Sequence, residues 1–255
     1  NLGDMSTLAL EVLRAVDLII CEDTRRTGLL LAHWSIRRPL TAFFHPREQQ
    51  QLPAILARLE SGQKAALLSD AGTPGISDPG YLLVREVLAR GGVVHPLPGP
   101  TAFTTALVAS GLPTNRFVFL GFPPRKPGEI EAFLQPWQRS EMTLILYENP
   151  ARLERWLPLA LEVLGDRPLV LAFELSKMFE RFHRSRLSLW VAGERPESMK
   201  GELVLLLGGY EGVAKEEGEE RPVPRTREEL MKLVMEQWGW SRAQVRQALM
   251  NKEPH

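Results

Sequence analysis

The chain has 255 residues, and its 31 Lys+Arg balance its 31 Asp+Glu, which excludes a polycation that grips nucleic acid by net charge alone. At 44% hydrophobic and 24% charged it has the composition of a soluble globular protein of one or two domains, and its one cysteine, Cys21, excludes an intramolecular disulfide or a thiolate zinc cage. No apolar run approaches the ~18 residues of a membrane helix and no signal-peptide pattern appears, so a cytoplasmic location is expected.

The chain opens Asn1-Leu2-Gly3-Asp4 with no initiator Met, and a helical stretch over residues 5–16 follows at once. An alternating α/β pattern wants a strand before that loop, so further residues are expected upstream. Short apolar runs then predict strands at 17–21, 39–44, 64–69 and 93–97, separated by amphipathic helices at 24–33, 49–60 and 79–89. Pro79 suits a first helical position, where its missing N–H is no loss. Strands joined through helices imply crossover connections, hence a largely parallel sheet covered on both faces.

A helix over 101–110 ends on the stop signal Gly111-Leu112-Pro113, and a second series begins. Its strands are predicted at 117–121, 143–148, 169–174 and 202–207, with helices at 129–137 and 151–164. The organisation expected is therefore an N-terminal α/β domain (1–111) and a C-terminal α/β domain (112–210). Residues 211–225, with five acidic and three basic side chains, read as a linker. The tail over 226–252 reads as two helices, 226–237 and 241–251, the second opened by the capping box Ser241-Arg242-Ala243-Gln244. From Arg225 to Lys252, six basic and three acidic residues leave a net charge of +3. A helix-turn-helix on RNA and a hairpin docked on the body or on a second subunit both fit.

The chemistry concentrates in Ser69-Asp-Ala-Gly-Thr-Pro-Gly-Ile-Ser-Asp-Pro-Gly80, which leaves a strand and enters a helix at the ligand-binding end of an α/β sheet. Gly72, Gly75 and Gly80 let backbone groups approach a ligand, and Pro74 and Pro79 fix the loop. Twelve residues exceed what an ordinary connection of two to six needs. A second loop, Pro96-Leu-Pro-Gly-Pro-Thr-Ala102, follows the next predicted strand and would line the same crevice. Dinucleotide, P-loop and nucleophile-elbow fingerprints are all absent. Charged groups close three other strands: Glu22-Asp-Thr-Arg25, Tyr147-Glu-Asn-Pro150 and Glu174-Leu-Ser-Lys177. For each, a helix cap or surface pair is an equally good reading. The five histidines show no metal-ligand spacing, and no metal is expected.

Taken together, Asn-Leu-Gly-Asp, Glu-Asp-Thr-Arg, the twelve-residue loop, Pro-Leu-Pro-Gly-Pro-Thr-Ala, Tyr-Glu-Asn-Pro, Glu-Leu-Ser-Lys and Lys-Gly-Glu closely resemble the tetrapyrrole methylase, or class III, methyltransferases. The likeness covers residues 1–208 in unbroken order and is nearest to the branch that methylates small-subunit (16S) ribosomal RNA. It implies two α/β domains with S-adenosylmethionine folded between them, usually in a homodimer. It assigns cofactor contacts to Gly72, Thr73, Ile76, Ser77, Thr101 and Ala102, and from the second domain to Leu146, Tyr147, Phe173 and Gly201. The implied reaction is methylation of a cytidine ribose 2′-hydroxyl in the decoding region, with the small-subunit RNA or the assembled subunit as partner. The sulfonium methyl is already electrophilic, so the protein must chiefly hold the hydroxyl in line. Asp23 and Glu174 are the candidate bases, Arg25 and Lys177 orient ribose or phosphate, and Asp4 is a further candidate. Arg25, Arg26, Arg37, Arg38, Arg125 and Lys126 are expected to form a local basic face for RNA. The third motif carries Ser176 where the family more often has threonine, which keeps the hydroxyl. The competing readings are a class III enzyme acting on a tetrapyrrole or other small acceptor, which a shorter Gly-Asp-Pro loop would accompany, and a non-catalytic ribosome-binding module.

Overall fold

The computed structural model describes residues 2–212, 228, 231–232, 235 and 241–245, and the chain divides into two units, 1–211 and 212–255. In the first unit, α1 (Thr7–Ala15) is capped by Ser6, whose hydroxyl accepts from the Ala9 N–H at 3.1 Å. It leads into β1 (Leu18–Cys21), buried at all four positions. Then come α2 (Thr24–His33), β2 (Leu40–Ala42), α3 (Glu48–Glu60), β3 (Ala65–Leu68) and α4 (Tyr81–Ala89). The three strands form a parallel sheet in the order β2-β1-β3. Successive β1 side chains point to opposite faces. Ile19 packs with Leu10, Leu13 and Leu31 on the α1/α2 side, and Leu18 and Ile20 with Ile55 and Leu83 on the α3/α4 side.

After α5 (Ala102–Ser110) come β4 (Phe117–Phe119), α6 (Pro127–Leu134), β5 (Thr143–Glu148), α7 (Leu153–Leu164), β6 (Pro168–Phe173), β7 (Arg181–Arg186), α8 (Leu187–Val191) and β8 (Leu203–Leu207). The second sheet runs β4-β5-β8-β6-β7. One face carries Leu144, Leu146, Leu171, Phe173 and Leu205 against Ile130, Trp156 and Leu157 of α6 and α7. The other carries Ile145, Val170, Val204 and Leu206 against Ala106 and Leu107, so α5 covers the second sheet.

The structure corrects two expectations, at residues 93–97 and Pro79, and adds two features that the sequence reading did not give. The second sheet is mixed: only β4 and β5 are parallel, whereas β8 runs antiparallel to β5 and β6, and β7 antiparallel to β6. Strand β7, Arg-Phe-His-Arg-Ser-Arg, was not predicted, because a charged edge strand lacks the apolar run that marks a buried one. Residues 93–97 form no strand. Among the described residues β3 pairs only with β1, and an apolar segment without a ladder partner stays unassigned and exposed, Val93 at 76%. Pro79 precedes rather than opens α4, because Gly80 at φ 143 takes the cap. In the second unit, the Ser241–Gln244 capping box is present: the Gln244 side chain accepts from the Ser241 N–H at 2.8 Å, and the Ser241 hydroxyl from the Gln244 N–H at 3.4 Å. The rest of the linker and tail predictions lie outside the described residues.

The buried corner of the second sheet is held by Arg167, 1% exposed, whose guanidinium donates to the carbonyls of Trp137 (2.9 Å), Gln138 (2.6 Å), Leu164 (3.2 Å), Ser140 (3.4 Å) and Gly208 (3.4 Å). Burial pushes its pKa down from the usual arginine value. Arg167→Met leaves those carbonyls without their donor and is expected to cost about 3 to 5 kcal/mol in a denaturant melt. Arg167→Lys, with three donors in place of a planar fork of five, is expected to recover less than half of that loss.

Candidate active site

The loop over residues 69–80 leaves β3 with the Ser69 hydroxyl facing the Ala71 and Gly72 carbonyls at 3.3 and 3.2 Å. Its backbone is left-handed at Gly72, Gly75, Ser77 and Gly80. At Gly80 a Cβ would stand 2.8 Å from Leu67 Cδ2 and 3.4 Å from the Gly75 nitrogen, so glycine is required there by both φ and space. Across from it, Thr101 caps α5 without a side-chain cap bond. Its hydroxyl instead lies 2.6 Å from that of Thr73, which donates to the Pro100 carbonyl at 3.1 Å. The two loops are thus tied at one point. Around it, among the described residues, no protein acceptor pairs the N–H groups of Gly72, Thr73, Ser77 or Ala102, whereas the Phe103 N–H in the first turn of α5 donates to the Tyr147 hydroxyl. These donors and the positive end of α5 form a polar cradle suited to a carboxylate and to ribose hydroxyls.

The adjoining side belongs to the second sheet. At Gly121 a Cβ would come within 3.6 Å of the Ser77 hydroxyl, so the turn after β4 lies against the loop. The Tyr147 ring, at the end of β5, packs with Phe103 and Phe119. Burial raises the Tyr147 pKa against the Phe103 N–H that its hydroxyl accepts, and Asp78 adds to the rise, which places the loop's second carboxylate near the phenol. Burial likewise pushes Asp78 up to about 6, with the charges of Glu22 and Asp70 reinforcing it. Glu22 is raised in the same way, by burial first and Asp70 second. Arg26 pairs with Asp70 at 3.1 Å and holds one edge of this acidic cluster.

The structure gathers Gly72, Thr73, Ile76, Ser77, Thr101, Ala102 and Tyr147 about this cradle. Leu146 and Phe173 turn their side chains to the opposite face of the sheet, so any ligand contact of theirs runs through the backbone. Gly201, at φ +100, sits against Glu174, whose Cγ a Cβ would meet at 2.5 Å. Both line an open groove of about 530 Å³ beside Met178, Phe179 and Lys200. Glu174 is a structural anchor: it accepts from the Glu202 N–H at 2.6 Å and pairs with Lys177 at 3.4 Å, and the backbone donor holds its pKa below the usual range. Lys177 also pairs with Glu202 at 2.9 Å. The Ser176 hydroxyl donates to Asp4 at 2.7 Å, linking the N-terminal loop to this turn.

Asp23 is the N-cap of α2, accepting from the Arg25 N–H at 2.8 Å and the Arg26 N–H at 3.4 Å, with the Arg25 guanidinium 3.0 Å away. These donors, the Arg25 side chain foremost, hold its pKa at about 2. A carboxylate so stabilised is a weak proton acceptor. Sequence reasoning did not single out the Asp78 carboxyl, although it stands inside the loop singled out; its signal is burial beside two other carboxylates, which sequence order hides.

The model of the family described as tetrapyrrole (corrin/porphyrin) methylases matches residues 1–189. A protein of Escherichia coli O157:H7 named ribosomal RNA small subunit methyltransferase I is 48% identical over 214 residues, 82% of this chain and 74% of that protein. One of the same name from Thermotoga maritima is 39% identical over 83% of this chain and 95% of its own. Among solved structures, uroporphyrin-III C-methyl transferase from Thermus thermophilus, complexed with S-adenyl homocysteine, matches 81% of this chain and 91% of its own at a TM-score of 0.55 and 19% identity, a likeness of fold. No helix among the described residues is long and apolar enough to cross a membrane.

Asp23→Ala removes the cap of α2 and is expected to lower Tm at pH 7, whereas Asp23→Asn keeps a capping oxygen and loses less. Because the folded pKa lies below that of an unfolded aspartate, this stability is present above about pH 4 and fades as pH falls toward 2. Melts of wild type and Asp23→Asn across that range should therefore converge.

Proposed function

The chain belongs to the tetrapyrrole (corrin/porphyrin) methylase family, among the ribosomal RNA small subunit methyltransferase I proteins, and on that premise we propose that its Thr-linked loops hold S-adenosylmethionine for methyl transfer to small-subunit ribosomal RNA. The observation that carries the reading is the Thr73–Thr101 contact, which leaves a ring of backbone donors open. Gly72, Thr73, Ile76, Ser77, Thr101 and Ala102 bind the polar parts of the cofactor, Tyr147 supplies an aromatic surface, and the backbones of Leu146, Phe173 and Gly201 complete the contacts. The bound cofactor supplies a methyl group on a sulfonium. What the protein adds is position, since an in-line hydroxyl at near-attack distance needs no further activation of the methyl carbon.

The acceptor is the 2′-hydroxyl of a cytidine ribose in the decoding region, as the family likeness implies. Asp78 takes its proton, being the loop carboxylate that burial keeps basic, whereas Asp23 and Glu174 are held ionised by their donors. Arg25 and Lys177 fix these anchors in place. The working form is a cytoplasmic homodimer, and the division between its two lobes falls ahead of α5, which packs on the second sheet.

Calorimetric titration with S-adenosylmethionine, with NAD as control, should give saturable binding of the former alone, followed by transfer of a labelled methyl group to small ribosomal subunits. Absence of both sinks the proposal. Transfer should rise as pH climbs through about 6, where Asp78 loses its proton, and then level off. Asp78→Asn should be about 10²- to 10⁴-fold slower and lack that limb. Since the folded pKa of Asp78 exceeds the unfolded one, the fold loses stability between about pH 4 and 6 as the group ionises. Asp78→Asn therefore melts no lower than wild type at pH 7.5, which separates lost chemistry from lost folding.

A further inference from the structure

Phe122 is a large apolar side chain left 62% exposed on a turn that the structure holds rigid. Arg152, paired with the buried Glu148 at 3.1 Å, donates to the Pro123 carbonyl at 3.4 Å and to that of Pro124. Glu148 is itself fixed by the Asn149 N–H at 2.7 Å. The Tyr147 N–H donates to Gly121 at 2.9 Å, and Gly121 lies against Ser77 of the cofactor loop. Phe122 also ends a row of aromatic rings. Phe103, in the first turn of α5, stacks on Phe119 at 4.7 Å; Phe119 meets Tyr147 edge-on at 4.8 Å; Tyr147 meets Phe122 at 5.5 Å. Three rings of the row are at least partly buried, and the fourth offers its surface to solvent beside the cradle. Arg125 and Lys126 follow it after Pro123 and Pro124, both exposed, with Lys126 in a solvent-exposed pair to Glu129 at 3.0 Å.

A pinned aromatic flanked by cations at the rim of a methyl-transfer site suits an unpaired nucleic-acid strand, whose bases stack on aromatic faces while its phosphates meet Arg and Lys. We propose that Phe122 is a positioning residue for the RNA substrate, a platform on which a base next to the acceptor ribose stacks while Arg125 and Lys126 hold flanking phosphates. The proposal rests on the ribosomal RNA reading above. The ring would orient the strand, and Asp78 would take the proton of the ribose hydroxyl.

The test is steady-state methyl transfer to small ribosomal subunits by the full chain, with cofactor affinity and oligomeric state measured on each variant. Phe122→Leu, which keeps an apolar side chain but no π-face, should raise KM for the subunit about 5- to 100-fold with kcat within about threefold, and Phe122→Trp should restore it. Arg125→Ala with Lys126→Ala should reduce the slope of log KM against log salt by roughly two. Unchanged KM in Phe122→Leu, with active wild type, overturns the proposal. So does a tenfold loss of S-adenosylmethionine affinity in that variant, which would assign the ring to the cofactor, or a change of oligomeric state, which would assign it to a subunit contact. A wild type that binds the cofactor but methylates no subunit strikes at the ribosomal RNA reading itself.

Discussion

One hydroxyl, that of Thr73, joins the two loops on which the candidate chemistry depends, lying 2.6 Å from the Thr101 hydroxyl and donating to the Pro100 carbonyl at 3.1 Å. Each loop leaves a strand or extended segment and enters a helix, so each arrives with backbone donors that its own helix cannot satisfy. In most proteins a side chain at the helix start would quench such donors. Here Thr101 turns its hydroxyl toward the other loop, and the N–H groups of Gly72, Thr73, Ser77 and Ala102 remain available, while that of Phe103 is taken by the Tyr147 hydroxyl. Left-handed backbone at Gly72, Gly75, Ser77 and Gly80 keeps the first loop in the one shape that brings Thr73 within reach.

The second sheet supplies a rigid mount for that contact. Arg167 gathers carbonyls from residues 137, 138, 140, 164 and 208 on one planar cation. On the site side, the Glu148–Arg152 pair fixes the turn that carries Gly121 and Phe122. The motif Tyr147-Glu148-Asn149-Pro150 is thus a support in which only Tyr147 faces the cradle; Asn149 caps the following turn through the Ala151 N–H at 2.9 Å.

Electrostatics divides the carboxylates by role. Asp23, surrounded by donors, and Glu174, held by a backbone donor and Lys177, are stabilised as anions, and their arginine and lysine neighbours are occupied in doing so. Asp78 has burial and two like charges around it and no cation of its own, which leaves it basic near neutrality. The same pairing thins the basic face expected for RNA: Arg25 and Arg26 are matched to Asp23 and Asp70, and Arg38 donates to the Arg14 carbonyl. Arg37 and Arg125 remain as exposed cations, consistent with a chain of zero net charge that concentrates its attraction locally.

Local chemistry made much of this legible from sequence. The boundaries of α2 and β5, the stop at Gly111 and the Ser241–Gln244 box follow from capping, periodicity and turn residues, which act over a few positions. The length and glycine content of the 69–80 loop marked it as a binding element for the same reason. Strand direction in the second sheet, the unpaired state of residues 93–97 and the charged edge strand β7 depend on which segments meet, and no local pattern encodes that. The roles of the acids were hidden in the same way. Asp23 and Asp78 are the same side chain in two motifs that each follow a strand, and only the packed structure surrounds one with N–H donors and buries the other beside carboxylates, which sets their proton affinities apart.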